Sequence, residues 1–473
     1  MKKFLGILLI IAVVVPCCFA LLTACDSDGG KPIDYTHTIV FYSSQGDALQ
    51  QQTQVAINNF EAKYPGWKVQ HVTVGGYDDV KEKIIADFQG KQQPDLAYCY
   101  ADHVAQYLQT KKVVDMSDLI NSTETVDGKS EDTDGNEIDI KVNVGYSEEE
   151  VADFVKGYYD EGYAHNYGDY AIYGYEADDM LTLPFVKSTE LMYYNKDALD
   201  AVGLKPATTW DELWAQCATL KLKYPTATPL GYDSEANWFI TMCEQNGWGY
   251  TSANNPHYLF NNENTKAWLT QLNDYYNKGY IATQKEYNAY TSALFTKGVE
   301  GGAIYCIGSS GGASHQNPGN LFKPGIAPIP GSKQADGSIN YSAISQGPSL
   351  VMFEAGNGVD NIDEKKVMTF LFVKELLDPT FQAAFAIASG YNPARNSVYE
   401  IENYVEHMNG SDITAVASKV AASMSDRFFT SPAFIGSSTA RTQVGNVLVY
   451  SILGSKSPEK ALTDAVANCG GNK

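Results

Sequence analysis

Between Thr38 and Thr110 the apolar residues alternate between two spacings, and these predict strands and helices in turn. Thr38-Ile39-Val40-Phe41-Tyr42 predicts a buried strand. From Asp47 to Tyr64 the residues Leu49, Val55, Ile57 and Phe60 follow helical spacing, which Pro65-Gly66 ends. Val69 to Val74 predicts a second strand, Tyr77 to Gln89 a second helix, Pro94 to Tyr100 a third strand, and Asp102 to Thr110 a third helix. Such alternation belongs to an α/β fold, with a parallel sheet covered by helices and a ligand site at the carboxyl ends of its strands. Ser43, Ser44, Tyr100 and Asp102 stand at those ends, which makes them pocket candidates.

Residues 121–160 break the rhythm. They are acidic and turn-rich, with Asp127-Gly128 and Asp134-Gly135 around short alternating pieces such as Ile138-Asp-Ile140-Lys-Val142, and they predict a surface insertion. Asp132, Asp134 and Asn136 imitate the start of a calcium loop. Glu137, however, occupies the position that needs Gly, and Asn143 the one that needs a bidentate Glu, so no metal is expected.

Beyond Leu183-Pro184-Phe185 a strand runs from Ser188 to Lys196, and Thr209 with Glu212 forms a helix-opening capping box. Helical pieces continue through Trp238, Trp268 and Tyr275. Gly302 to Ile307 predicts another strand and Gly325 to Pro330 an extended crossing. These pieces predict a second lobe. Residues 36–185 with about 326–376 would form lobe 1, and residues 186–325 with about 377–473 lobe 2. Glu364 to Leu377, Thr380 to Ala388 and Pro458 to Ala467 would pack across both.

The N-terminus carries an address. Lys2-Lys3, the apolar run Phe4 to Ala20 and small residues before Cys25 predict a secretory signal over residues 1–24. Leu22-Thr23-Ala24-Cys25 resembles the bacterial lipobox, which implies lipidation at Cys25, a tether over residues 25–35, and an extracytoplasmic, membrane-anchored protein. With Lys+Arg 34 against Asp+Glu 56 the net charge is −22, and removal of two lysines with the signal takes it to −24. That balance and the lack of a basic cluster exclude nucleic acid as a partner. It also leaves the lipid to hold an anionic membrane. Of 8 cysteines, Cys99, Cys217, Cys243, Cys306 and Cys469 remain after the signal and lipobox, mostly in apolar stretches that predict buried free thiols.

Together these pieces resemble the solute-binding lipoproteins of bacterial carbohydrate-uptake ABC transporters, the group of the maltose- and glycerol-3-phosphate-binding proteins. The stretch Leu183-Pro-Phe-Val-Lys-Ser-Thr-Glu-Leu-Met-Tyr-Tyr-Asn-Lys-Asp197, with Gly203-Leu204 and Thr209-Trp210-Asp211-Glu212-Leu213, carries most of the resemblance. Phe60-Glu-Ala-Lys-Tyr-Pro-Gly66, Phe295-Thr-Lys-Gly298 and Ser389-Gly-Tyr-Asn-Pro-Ala-Arg395 add to it. The fold implied is a two-lobed, Venus-flytrap periplasmic binding protein, with interleaved lobes joined by two or three crossing hinge strands.

The resemblance places Ser44, Gln45, Tyr77, Asp102 and Gly347 on the first-lobe side of the cleft. It places Ser188, Tyr194, Trp248, Ser309, Ser310, Tyr391 and Arg395 on the second. It implies a monomer that delivers a carbohydrate to the transmembrane subunits of an ABC permease, without a cofactor. The residue types suit a sugar: Asp102 would accept from two hydroxyls, while Trp248 or Tyr391 would stack on the C–H face. Strand alternation turns either Tyr193 or Tyr194 toward the cleft. Where glycerol-3-phosphate-binding relatives carry a Glu and a late Arg, an ungapped reading finds Ala101 and Ala433. A phosphate ligand thereby loses its bidentate cation, with Arg395 and Arg441 as replacements. Glycerol-3-phosphate or a glycerophosphodiester is therefore the alternative ligand.

Enzyme chemistry finds little footing. Gly308-Ser309-Ser310-Gly311-Gly312 has the spacing of a nucleophile elbow, but a proline-containing loop follows where a helix should start. Asp178-Asp179 and Asp233 with Glu235 raise a glycosidase reading, yet neighbouring acids are common in so acidic a chain. No zinc-protease, paired Cys-x-x-Cys, phosphate-loop or dinucleotide motif appears. An adhesion role would show repeats, and none is visible.

Overall fold

The computed structural model describes residues 34–356 and 359–472. The expected signal, Cys25 and most of the tether lie outside the described residues. Tyr35 to Lys473 forms one compact unit, organised around two sheets.

The first sheet begins as the alternation predicts. Strands β1 (Thr38–Ser43), β2 (Lys68–Thr73) and β3 (Leu96–Cys99) are parallel, with β1 in the middle. They are joined by helices α1 (Asp47–Lys63) and α2 (Tyr77–Gly90), and α3 (Ala101–Tyr107) follows β3. Helix α1 stops at Pro65-Gly66 because Gly66 turns back at φ +100°, which a side chain would resist. Phe41 and Phe60 meet Phe372 at 5.9 and 5.3 Å, and all three are fully buried. At about 1.5–3 kcal/mol for each fully buried ring, such contacts dominate the lobe's cohesion.

The acidic insertion contains a hairpin, Thr125–Glu131 against Glu137–Asn143. The calcium-like triplet closes its turn: the Asp132 carboxylate accepts the N–H groups of Asp134 and Asn136 at 2.9 and 2.8 Å.

Strands β4 (Leu183–Pro184) and β5 (Val186–Asn195) lead into the second lobe. There α4 (Trp210–Lys223) starts on the N-cap Thr209, whose Oγ1 accepts from the Glu212 N–H at 3.3 Å, but the expected capping box is not completed. The Glu212 carboxylate reaches back to Thr208 at 2.8 Å. Next come β6 (Thr228–Tyr232), α5 (Glu235–Asn246), α6 (Glu263–Asn277), β7 (Ile281–Thr283), β8 (Ala303–Ser309), β9 (Pro324–Pro328) and β10 (Ala343–Gln346). Their core is a column of aromatics: Trp238 stacks on Tyr232 at 4.6 Å and touches Trp210, Trp214 and Trp268 at 6.0–6.3 Å.

Strand β11 (Ser349–Met352) returns to the first sheet, and α7 (Ile362–Leu376) packs there. Helix α8 (Pro379–Ser389) bridges, and β12 (Asn392–Pro393), β13 (Phe428–Phe429), α9 (Ser437–Ile452) and α10 (Pro458–Asn468) complete the second lobe. The sheet orders are β2-β1-β3-β11-β4 and β13-β10-β5-β8-β6-β7, with β9 and β12 also on β5. The fold is thus the expected two-lobed α/β architecture.

Two expectations change. Residues near 326 do not return to lobe 1, because β9 and β10 both pair with β5, and the crossing comes at Gly347-Pro348. Of the helices expected to span both lobes, α8 does so, while α7 stays in the first and α10 in the second. Two chain crossings lie side by side, since the Phe185 N–H donates to the Pro348 carbonyl at 3.1 Å. Gly347 sits there at φ +113°, and a Cβ on it would lie 2.4 Å from the Val186 oxygen. Only glycine fits that approach.

Candidate functional site

The cleft forms where the ends of β3 and β5 meet the start of α9. Tyr100, Ala101 and Asp102 come from lobe 1, while Tyr250, Gln346, Ser437 and Arg441 face them from lobe 2. Asp102 gets its place from the strand-to-helix turn after β3, the position the alternation predicts. Tyr77, at the start of α2, stacks on Tyr100 at 4.3 Å and 23°.

The lobes touch above the cleft. Burial and the neighbouring hydroxyls of Tyr391 and Tyr100 raise the Tyr77 phenol, and Tyr391 lies where any side chain at Gly311 would strike its ring. Lys81 Nζ donates to Ser438 Oγ at 3.0 Å. Between the lobes remains a cavity of about 70 Å³, far below the roughly 300–1,000 Å³ of small-molecule sites. Past Glu161, Ser345 and Thr430 it opens into a vestibule of about 960 Å³ walled by Tyr158, Tyr163, Phe428 and Phe429. A solute held among Asp102, Gln346 and Arg441 therefore requires the lobes to part and reclose.

The charges of the cleft are unequal. Lys187 pairs with Glu161 at 2.5 Å and is 4% exposed, so its charge is spent inside the protein. Arg441 forms no ion pair among the described residues. Its guanidinium donates to Asn237 Oδ1, whose amide donates to Gln346 Oε1 at 2.7 Å. Beneath them Glu190 is 2% exposed and accepts from the Tyr232 hydroxyl at 2.5 Å. Burial pushes its carboxyl up to about 7, against the hydrogen bonds of Tyr232 and Asn237 and the charge of Arg441. Burial likewise raises Asp233, whose carboxylate accepts from the Thr291 N–H and hydroxyl.

Of the residues expected at the site, Asp102 and Gly347 line the cavity, and Tyr77 and Tyr391 close over it. Ser44 bonds the Gly75 carbonyl at 3.0 Å beside the strand end. Ser43 is taken by His71 at 2.6 Å. Gln45 is internal, held between Tyr98 and Thr53. Ser188 is buried on β5 opposite Gln346. Ser310 Oγ accepts from the Thr189 N–H at 3.3 Å, and Ser309 Oγ from the Gly311 N–H at 3.1 Å, so both hold the loop after β8.

Three expectations are corrected by distance or by engagement. Neither Tyr193 nor Tyr194 lines the cleft, because β5 carries them about 20 Å beyond Lys187 at roughly 3.3 Å per residue. Tyr193 bonds the Ser309 carbonyl, and Tyr194 packs on Gly325. Arg395 pairs with Asp153 at 2.8 Å over the Phe154 ring, which anchors the insertion. Trp248 lies on the outer face of lobe 2 against Trp268. The residues left off the expected set include Tyr250, Ser437, Asn237, Gln346 and Glu190. Glu190 alone carried a signal, as a carboxylate next to the apolar run Leu191-Met192 in a strand expected to be buried. Arg441, considered only as a stand-in cation for phosphate, is the arginine that reaches the cleft.

Against known proteins, a family model described as bacterial extracellular solute-binding protein matches residues 55–409. The sn-glycerol-3-phosphate-binding periplasmic protein UgpB of Yersinia pseudotuberculosis is 23% identical over 444 residues, covering 90% of each chain. Among solved structures, UgpB of Mycobacterium tuberculosis in complex with glycerophosphocholine matches at TM-score 0.70 and 17% identity, covering 92% of this chain and 97% of that one. The GacH receptor of Streptomyces glaucescens, solved unliganded and with acarbose, matches at TM-score 0.69 and 17% identity, covering 92% and 99%. These two likenesses carry the two-lobed fold.

Proposed function

Because the chain belongs to the bacterial extracellular solute-binding proteins, we propose that it is an extracytoplasmic receptor that closes its two lobes on a carbohydrate and hands it, unaltered, to an ABC importer. The observation that carries this reading is the pairing, in one interlobe cleft, of tyrosine faces with side chains able to bond neighbouring hydroxyls. Tyr100 and Tyr250 supply the faces, and Asp102, Gln346 and Ser437 the hydrogen bonds. The contacts Tyr77–Tyr391 and Lys81–Ser438 add stability to the closed form. A solute touching both lobes would shift the open–closed equilibrium by its extra contacts in that form. The lipobox-like Leu22-Thr23-Ala24-Cys25 supports lipidation at Cys25 and anchoring to the membrane, with the receptor acting as a monomer beside its permease.

Arg441 favours a second reading. A guanidinium without an ion pair among the described residues, one turn into α9 beside Ser437, suits a phosphate as well as hydroxyls. A glycerophosphodiester is therefore the alternative ligand.

Thermal unfolding of the chain beginning after Cys25, against neutral saccharides, glycerol-3-phosphate and glycerophosphodiesters, separates the two. Ligand at ~100 times its Kd adds about 2.7 kcal/mol. A saturable shift with a neutral saccharide recovered intact supports the main reading, and one confined to phosphates supports the alternative. Silence across the panel, or cleavage of the sugar, would sink both.

A further inference from the structure

Lobe 2 carries another concavity, built from four elements. Helix α4 contributes Trp214, α6 contributes Trp268 and Gln271, the turn after α5 contributes Trp248, and the short strand Ser332–Lys333 contributes Lys333. It shares no lining residue with the cleft. Asn237 at the cleft and Asn246 at the groove lie on α5 about 14 Å apart, at ~1.5 Å per residue. The groove measures about 710 Å³, inside the roughly 300–1,000 Å³ range of small-molecule sites.

Its rings are fixed before any ligand arrives. Trp214 stacks on Tyr275 at 4.2 Å and 20°, with Trp238 behind it at 6.3 Å. Trp248 rests against Trp268 at 6.1 Å. Trp210, Trp238 and Trp268 are at most 6% exposed, whereas Trp214 and Trp248 stay half-buried and reachable. Binding to such rings costs no rotamer freedom. Around them stand Asp211, Asn264, Gln271 and Asp274, all exposed hydrogen-bonding groups.

That combination selects its ligand. Asp211 and Asp274 outnumber Lys333 on the rim and disfavour an anion, and a purely apolar molecule would strip these charges of water for nothing in return. A neutral saccharide satisfies both parts, with its C–H face on indole and its hydroxyls on the rim.

We propose that this groove is a second saccharide-binding site, independent of the interlobe cleft. It lies wholly on one lobe, so occupancy leaves the open–closed equilibrium unchanged, and its role is to hold a glycan near the receptor. The shared chemistry covers a free oligosaccharide and a polymeric glycan alike.

The test uses the chain starting after Cys25 with Asp102→Ala and Arg441→Ala in the cleft. Affinity electrophoresis through soluble amylopectin, xylan and β-glucan tests the polymer, and saturation-transfer NMR with the corresponding short oligosaccharides tests the free sugar. Retardation or transfer should persist in this cleft variant and fall tenfold or more with Trp248→Ala. Exposed Gln271→Ala, expected to weaken binding two- to fivefold, covers the case in which Trp248→Ala does not fold. No binding to any glycan, or binding indifferent to both groove substitutions, overturns the proposal. Failure of the cleft reading shows separately, as solute binding indifferent to Asp102→Ala and Arg441→Ala.

Discussion

The interlobe cleft and the outer groove of lobe 2 are both lined by aromatic rings, yet they are built on opposite principles. The cleft draws its walls from two bodies, so its volume depends on how the lobes sit, and its charged residues are buried or half-buried, with Arg441 and Glu190 held by hydrogen bonds. The groove is cut into one core, its rings are stacked from behind, and its charges face water. Binding in the cleft can therefore be coupled to motion, which a receptor that signals its loading requires. Binding in the groove lacks that coupling, because every residue that lines it belongs to lobe 2.

Gly347→Ala breaks the cleft most severely. The added methyl meets the Val186 oxygen at a positive φ, so a loss of about 3 kcal/mol is expected in urea unfolding. The groove, remote from that crossing, should keep its tryptophan fluorescence in whatever fraction stays folded. Next in size, Arg441→Gln should weaken a phosphate-bearing solute by about 100-fold and a neutral saccharide by about 10-fold in calorimetry, since bonds to a charged partner carry about 1.5–3 kcal/mol. Equal losses for both solutes would remove the reason to consider phosphate.

Glu190 sharpens the contrast through pH. Its folded carboxyl titrates near 7 against 4.5 for the free group, so between those values the native state binds more protons than the unfolded chain. Stability is greatest below pH 4.5 on this account and declines as pH rises through 7, by on the order of 1–3 kcal/mol. Glu190→Gln should flatten that decline in melting curves taken from pH 4.5 to 7.5, whereas exposed Asp211→Asn at the groove should leave the slope untouched. The smallest effect is expected from Tyr77→Phe, which removes one hydroxyl that faces Tyr391 across the cleft. A loss of about 1 kcal/mol of closure should appear as a roughly fivefold weaker cleft ligand, with the groove unaffected.

Local pattern was enough for much of this architecture. The β–α alternation from Thr38 to Thr110, the proline-glycine stop after α1 and the Thr209 cap are each written within a few residues, and each occurs where expected. Asp102 was legible for the same reason, because the end of a parallel strand is a defined place. Other residues were misplaced where local reasoning has no reach. Trp248 has the same composition signal as a cleft aromatic, and only its packing against the buried Trp268 places it on the outer face of lobe 2. Arg395 lies in a well-matched motif, but Asp153, 242 residues away in sequence, claims its guanidinium.

By itself, then, the sequence determined the class of fold, the order of the elements in each half, the glycine-dependent turns and the polar–aromatic character of the ligand chemistry, since these follow from side-chain periodicity and backbone sterics over short spans. Tertiary structure decided the return to lobe 1 at Gly347 rather than near 326, the choice of Arg441 over Arg395, and the division of tryptophans between core and groove. All three are settled by pairings between distant segments, β9 and β10 with β5, Asp153 with Arg395 and α4 with α6. Their energy exists only once the chain has brought those segments into contact.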